Sequence, residues 1–260
     1  MLRALNAAAT GMAAQQTHID VVANNVANVN TTGFRRARAE FQDLLYQTHR
    51  TAGATTANGG QQPTGLQVGL GTRTVATETI FEQGTLQQTG NALDLAIEGE
   101  GFFQITRNDG TLAYTRSGNF KVDAEGRLCT LDGLAVEPAI QIPPDATGVT
   151  ISPTGIVSAM QPGQTQPTEL GQLQIARFSN PAGLTAIGRS MYLQTPASGE
   201  PIVLEPGTEG AGSISQGFLE GSNVQIVNEM IDLISSQRAY DINQRVIQAA
   251  DEMLRKVTER

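Results

Sequence analysis

The sequence predicts an α+β protein: terminal α-helices forming a coiled-coil-like layer, with an antiparallel β-rich domain, a sandwich or partly closed barrel, inserted between them. Three observations predict it. Near the C-terminus, Ile226, Leu233, Tyr240, Ile247 and Leu254 fall seven apart, and Met230, Ala250 and Val257 widen that line into an apolar stripe on one helix face. Near the N-terminus, Leu5, Met12, Ile19 and Val26 repeat the spacing. Between them, short apolar runs are separated by turn dipeptides at regular intervals.

Residues 3 to about 28 read as the first helix. Asn24, Asn25 and Asn28 weaken its end, because Asn competes for backbone hydrogen bonds. Two readings stand: the helix frays there, or the amides bridge a helix seam and fix its register. Asn30, Thr31, Thr32 and Gly33 then stop the helix, with Gly33 free to take a positive φ. Residues 35–46 return to helix or extended chain, anchored by Phe34, Phe41, Leu44 and Leu45. From Thr48 to Gly71, six glycines and a proline among Thr, Ala, Asn and Gln read as an irregular loop, uncommon at that length unless it has a partner.

Residues 73 to about 219 read as all-β. Runs such as Leu93–Ile97, Phe102–Thr106, Asn119–Val122 and Leu173–Phe178 are punctuated by Asp109-Gly110, Ser117-Gly118, Glu125-Gly126, Asp132-Gly133 and Thr154-Gly155. Ser222 and Gln225 have the spacing of a capping box, so the last helix is expected to start there and span roughly 50 Å. Gln237, Gln244 and Asp251 occupy the positions where a two-stranded zipper needs a second apolar line, so this helix needs several neighbours. Spacing alone also allows both helices to dock on the chain's own core. The predicted organisation is 1–34 and 220–260 as assembly helices, 35–72 as linker and Gly-rich segment, and 73–219 as the β-rich domain.

Composition narrows the function. The 260 residues carry a net charge of −8 with 17 scattered basic residues, which argues against a nucleic-acid partner. Arg35, Arg36 and Arg38 form the one basic cluster and read as a solvated patch past a helix end. No apolar run is long enough for a membrane span. Asn6, Gly11, Gln15 and Gln16 interrupt any signal-peptide core, so export would use an uncleaved end. With two histidines, His18 and His49, and one cysteine, Cys129, no metal-ligand spacing exists. Gly99-Glu100-Gly101 precedes a strand and not a helix, so it reads as a tight turn delivering Phe102 and Phe103 to a core. Carboxylates are plentiful, and Glu98 could pair with Glu100, but at a spacing chance supplies. The expectation is therefore no catalytic residue, no cofactor and no metal.

The run Ala23-Asn24-Asn25-Val26-Ala27-Asn28-Val29-Asn30-Thr31-Thr32-Gly33-Phe34-Arg35-Arg36 resembles the N-terminal signature of the axial proteins of the bacterial flagellum, the rod and hook family. Ser222-Asn223-Val224, Ser236-Gln237-Arg238-Ala239-Tyr240 and Asp251-Glu252-Met253-Leu254 resemble its C-terminal signature. Gly65-Leu66-Gln67-Val68-Gly69, the run 83–91, Gly101-Phe102-Phe103, Tyr114-Thr115-Arg116 and the run 238–243 are similar to the distal-rod branch; hook and proximal-rod branches remain alternatives. The resemblance implies a structural subunit, exported by the flagellar type III apparatus without signal cleavage, that polymerises into a hollow helical tube around the export channel. The tube would cross the periplasm and pass motor torque to the hook. Implied partners are further copies of itself, proximal rod proteins, the hook protein, peptidoglycan- and outer-membrane-ring proteins, the rod cap and the export apparatus. Tyr46, Pro63 and Gly65 fall in the segment that would brace neighbouring rod subunits. A secreted β-sandwich peptidoglycan hydrolase and a surface adhesin are readings of another class. The first predicts a pocket of perturbed carboxylates, the second conspicuous exposed loops, and neither uses the terminal stripes.

Overall fold

The computed structural model describes residues 2–53, 63–164, 166–208 and 210–258, with the backbone alone at 2, 257 and 258. Expectations for residues 54–62 of the Gly-rich segment, and for the Val257 side chain, lie outside the described residues. Two compact units divide the chain: Met1–Val26, Ala37–Glu78 and Gln225–Arg260 form one, Ala27–Arg36 and Thr79–Val224 the other.

The first unit is built on two helices packed together, α1 (Leu2–Ala27) and α2 (Ile226–Thr258). Helix α2 starts later than the capping-box spacing implies. Gln225 precedes its first turn, its carbonyl accepting from Glu229 N at 3.1 Å and its Oε1 from Asn228 Nδ2 at 2.6 Å. Ser222 instead closes a local turn through Val224 N. Glu229 in the first turn and Arg255 and Lys256 in the last suit the helix dipole.

The segment after α1 is extended, with Ala37–Asp43 and Thr72–Thr79 forming a two-stranded ribbon. Phe41 meets the His18 ring edge-on at 6.1 Å, and Thr72 N reaches Thr10 Oγ1 at 3.4 Å, so the ribbon is held to α1. The Gly-rich stretch is less irregular than its composition implies. Tyr46–Arg50 and Leu66–Gly69 pair antiparallel as a hairpin. Tyr46–Arg50 is polar after its first residue and Leu66–Gly69 alternates over four residues only, so the apolar alternation is too short to announce the strands.

The second unit is antiparallel throughout its named strand pairs. Its largest sheet, nine-stranded among the described residues, runs outward from Phe102–Thr106 and Leu112–Thr115. Phe102 and Phe103 leave the Gly99–Gly101 turn on opposite faces of one strand. Phe103 enters a core with Leu95, Ile97, Phe120, Leu173 and Ile175, while Phe102 joins Tyr114, Phe178 and Tyr192. The turn was expected to deliver both aromatics to a core, and it does. A Cβ on Gly101 would collide with Ile175. Gly110, Gly126, Gly133 and Gly155 all take the positive φ their turn dipeptides require. Gly118 differs: it lies against the Leu95 carbonyl, where no side chain fits.

Candidate assembly faces

The α1/α2 seam is the first candidate site. Gly11 faces Asn243, where a Cβ would stand 2.9 Å from Nδ2; His18 Nδ1 meets Ser236 Oγ at 2.7 Å; Asn25 Nδ2 donates to Glu229 Oε2 at 3.0 Å. Each step of seven along α1 is matched by seven back along α2, so the helices run antiparallel with a polar layer in every heptad. Small residues make the close approach possible: Ala8, Ala14, Ser236 and Ala250 are all buried. Flanking this line, Leu5, Met12, Ile19 and Val26 on α1, and Leu233, Tyr240, Ile247 and Leu254 on α2, are half-buried. Gln237, Gln244 and Asp251 are exposed, and the second line that spacing sought is Glu229, Ser236, Asn243 and Ala250.

Asn25 decides between its two readings. Buried, it donates to the Ala37 carbonyl at 2.8 Å and accepts from Ala37 N at 2.9 Å in addition to its bond to Glu229. It therefore ties the helix end both to the next strand and to α2, and the helix does not fray there. Asn24 is exposed and Asn28 half-buried.

The second face is the outside of α2. Ile226, expected in the stripe, is exposed, as is Met230. With Val227 (70 % exposed), Ile231, Ile234, Ile242, Val246 and Met253 they form an apolar face along the helix that its own unit leaves uncovered. The 3–4 residue spacing of these positions was the signal that could have found it, obscured by the heptad beside it. The Tyr46–Arg50 hairpin adds a smaller apolar surface: Leu45 is 84 % exposed, and Tyr46, Leu66 and Val68 are exposed too. Pro63 and Gly65 lie exposed just before its second strand, on the side of the connection between the strands.

The signature residues after α1 have a different role, inside the β unit. Gly33, at φ 67°, lies so close to the backbone of Arg116 and Ser117 that a Cβ would stand 2.5 Å from Ser117 N. Thr32 Oγ1 is 3.3 Å from Ser117 Oγ, Ser190 Oγ donates to the Thr32 carbonyl at 3.1 Å, and Gly33 N donates to the Glu220 carbonyl at 2.8 Å. Phe34 is half-buried. Arg35 is not the solvated cation expected. Its Nη2 lies 2.6 Å from Glu220 Oε1, both side chains fully buried, and Arg116 Nη1 lies 3.4 Å from Glu220 Oε2. Two cations share one carboxylate. Desolvation, only partly countered by Glu220, lowers Arg116 to about 10. Arg116 also donates to the carbonyls of Ile97 and Gly99, yet its Nε and that of Arg35 have no partner. Arg36 is half-buried; only Arg38 is exposed, paired with Glu40 and Glu78. Charge counting along the sequence could not reveal this, because Glu220 lies 185 residues from Arg35.

Glu98 and Glu100 do not form a pair: Glu98 accepts from Ser215 Oγ and Glu100 binds Arg177. His49 contacts Arg3 at 2.5 Å, and Cys129 is a buried strand residue whose thiol burial pushes up. Among the described residues no group of His, Cys, Asp and Glu is placed to hold a metal, and no helix is long and apolar enough to cross a membrane.

An exposed apolar face on α2, a smaller one on the Tyr46 hairpin and a well-packed β unit with no candidate catalytic cluster among the described residues are the marks of a structural protein. Comparison with known proteins narrows the class. Residues 5–35 match the flagella basal body rod protein family, 96–159 the flagellar hook protein FlgE/F/G D1 domain, and 215–260 the flagellar basal body rod FlgEFG protein C-terminal family. The chain is 51 % identical to the flagellar basal-body rod protein FlgG of Borreliella burgdorferi, covering 98 % of this chain and 97 % of that protein. To its counterpart from Agrobacterium fabrum it is 52 % identical, over 97 % of each. The hook protein FlgE of Helicobacter pylori is 40 % identical over 72 % of this chain, which spans only 26 % of that protein. The chain belongs to the FlgG family of flagellar basal-body rod proteins, and its work is structural, not enzymatic.

Proposed function

We propose that this chain polymerises into the distal part of the rod, as a hollow helical tube that encloses the export channel and carries motor torque to the hook. The apolar outer face of α2 carries the reading. Seven large side chains from Val227 to Met253 stand exposed on a helix of 33 residues, and burying what remains exposed of each against a neighbour gains about half of the ~1.5–3 kcal/mol that a whole side chain gives. Several neighbours are needed, because the seam to α1 already occupies the opposite side. The polar layers of that seam fix which residue of α1 meets which of α2, giving every copy one shape to repeat. Leu5, Met12, Ile19 and Val26, with Leu233, Tyr240, Ile247 and Leu254, serve as assembly residues on the borders of that seam; Ile226 serves on the outer face.

The hairpin carrying Tyr46, with Pro63 and Gly65 just before its second strand, braces neighbouring subunits through Leu45 and Leu66. Partners along the axis are the proximal rod proteins and the hook protein, and around it the peptidoglycan- and outer-membrane-ring proteins; the rod cap and type III export apparatus act during growth. The Gln- and Thr-rich, weakly charged β unit suits rotation inside such rings.

Two substitutions test the polymer. Leu233→Asp places a charge beside the seam, and Ile242→Asp places one on the outer face. Each is expected to abolish rods, scored by electron microscopy of basal bodies, while the β unit unfolds in urea as in the wild type. Rods of normal length from Ile242→Asp would overturn the reading.

A further inference from the structure

The β unit contains a hole and a knob that the helices do not explain. The hole is a cavity of about 330 Å³ walled by Phe81, Phe102, Phe178, Pro181 and Ile202, room for roughly ten waters at ~30 Å³ each. Arg116 forms part of its wall, and the Arg177–Glu100 pair, 2.7 Å apart, is at its rim. Because Arg35 and Arg116 share Glu220, the wall carries one uncompensated positive charge, and the Arg116 Nε–H has no acceptor. An apolar floor beside an under-neutralised buried cation fits an apolar side chain followed by a carboxylate.

The same unit presents that pair. Leu131, 67 % exposed, is its most exposed large apolar side chain among the described residues, and Asp132 follows it. Both sit at the tip of a turn closed by Thr130 N to the Leu134 carbonyl at 2.8 Å and Gly133 N to the Thr130 carbonyl at 3.0 Å. Asp132 is held loosely, 3.4 Å from the exposed Arg189. Apolar side chains on turn tips lose water contacts only when another surface covers them.

Hole and knob lie at opposite ends of one strand. Phe102 opens the Phe102–Thr106 strand at the hole, whereas Ala135, next to the turn, pairs with Thr106 at the far end. At 3.3 Å per residue those ends are about 13 Å apart, and the turn projects beyond. A molecule cannot fill its own hole with its own tip. Contacts of this unlike-to-unlike kind propagate head to tail and build open helical filaments, not closed dimers.

We propose that the Leu131–Asp132 tip of one copy enters the Phe81/Phe102/Phe178 hole of a second copy, Leu131 against the aromatic floor and Asp132 facing Arg177 and Arg116. This inference rests on the polymer reading above and adds to it a contact between β units, independent of the helices. A partner other than a second copy is the competing outcome of the test.

The test uses the full chain, replacing the resident rod subunit in a flagellated cell. In a Cys129→Ser background, Leu131→Cys and Ser179→Cys, the latter in the hole, are combined in one chain and the cells oxidised. Basal bodies are expected to yield a disulfide-linked ladder of multiple subunits on non-reducing gels. Leu131→Cys alone is expected to yield none, because a tip meets a hole and not another tip. Rods that form without a ladder, or a ladder from Leu131→Cys alone, overturn the proposal. A chain whose two cysteines prevent rods altogether is judged by Leu131→Asp, which on an exposed turn leaves folding intact. Loss of Leu131 burial weakens each contact about tenfold or more, so rods should be lost or far fewer. Rods from Leu131→Asp at wild-type abundance overturn the proposal, whereas a wild-type chain that builds none counts against the polymer itself.

Discussion

The two units treat apolar surface in opposite ways. In the β unit, Leu95, Ile97, Phe103, Ile105, Phe120 and Ile175 are all at 0 % exposure, each packed within its own unit. In the helical unit, the apolar side chains buried on α1 and α2 are Ala8, Ala14, Val22 and Ala250, beside the polar Asn25, Glu229 and Ser236, while Ile231, Ile234 and Ile242 are exposed. Large residues fill the interior of the first and the exterior of the second. The difference separates a body stable by itself from a surface completed by other molecules. Small residues let two helices approach closely, but they bury too little area to offset the chain entropy of 26 and 33 ordered residues unaided.

The sharpest way to separate the units is to break the one with its own core from within. Glu220→Ala removes the carboxylate shared by Arg35 and Arg116 and leaves two buried cations, a change worth about 3–5 kcal/mol. Chemical denaturation followed by tyrosine fluorescence should show a β unit with a strongly reduced urea midpoint. A midpoint close to wild type would mean that water reaches the cluster and that the unit is less closed than its burial implies.

The polar clusters also mark where sequence reading stopped. The helices, the β insertion and the Phe102-Phe103 turn were legible because each is a local pattern: a period of seven, an alternation, a dipeptide. Asn25 was ambiguous because a helix-end Asn looks the same frayed or bridging until Ala37 and Glu229 are placed beside it. Arg35 read as solvated because its partner is distant in sequence. Ile226 and Met230 were assigned to the inner stripe because a face 100° wide and its neighbour share residues at this spacing. Ser222 had the spacing of a cap, but helical geometry begins only after Gln225. The strands of the Tyr46 hairpin carried too short an alternation to read, Leu66 and Val68 alone. For Asn25 and Arg35, what was missed is a contact between segments far apart in the chain.

A smaller effect is expected in the helical unit. Asn25→Ala removes three hydrogen bonds and leaves the buried Glu229 carboxylate without its amide donor, costing about 1–3 kcal/mol. The loss should appear as lower helicity by circular dichroism in the full chain, with the urea midpoint of the β unit unchanged. A fall in that midpoint would show that the two units unfold together, and the contrast between them would then be one of shape and not of stability.

The smallest effect lies on the surface of the β unit, where pH separates it from the buried cluster. Asp123 is held below its ordinary 3.8 chiefly by the Arg127 backbone N–H, 2.8 Å from Oδ1, and further by the Arg127 side chain. A carboxyl whose folded value is lowered binds protons more weakly folded than unfolded. Its contribution is therefore present above 3.8 and is lost as pH falls through the folded value. Asp123→Asn should lower the thermal midpoint slightly at pH 7, and the gap from wild type should close as pH drops below 3.8. Solvent reaching the half-buried Asp123 and the more open Arg127 keeps the effect small. A gap that persisted in acid would assign the role of Asp123 to the shape of its turn and not to its charge, leaving the buried cluster as the stronger electrostatic contribution to the unit.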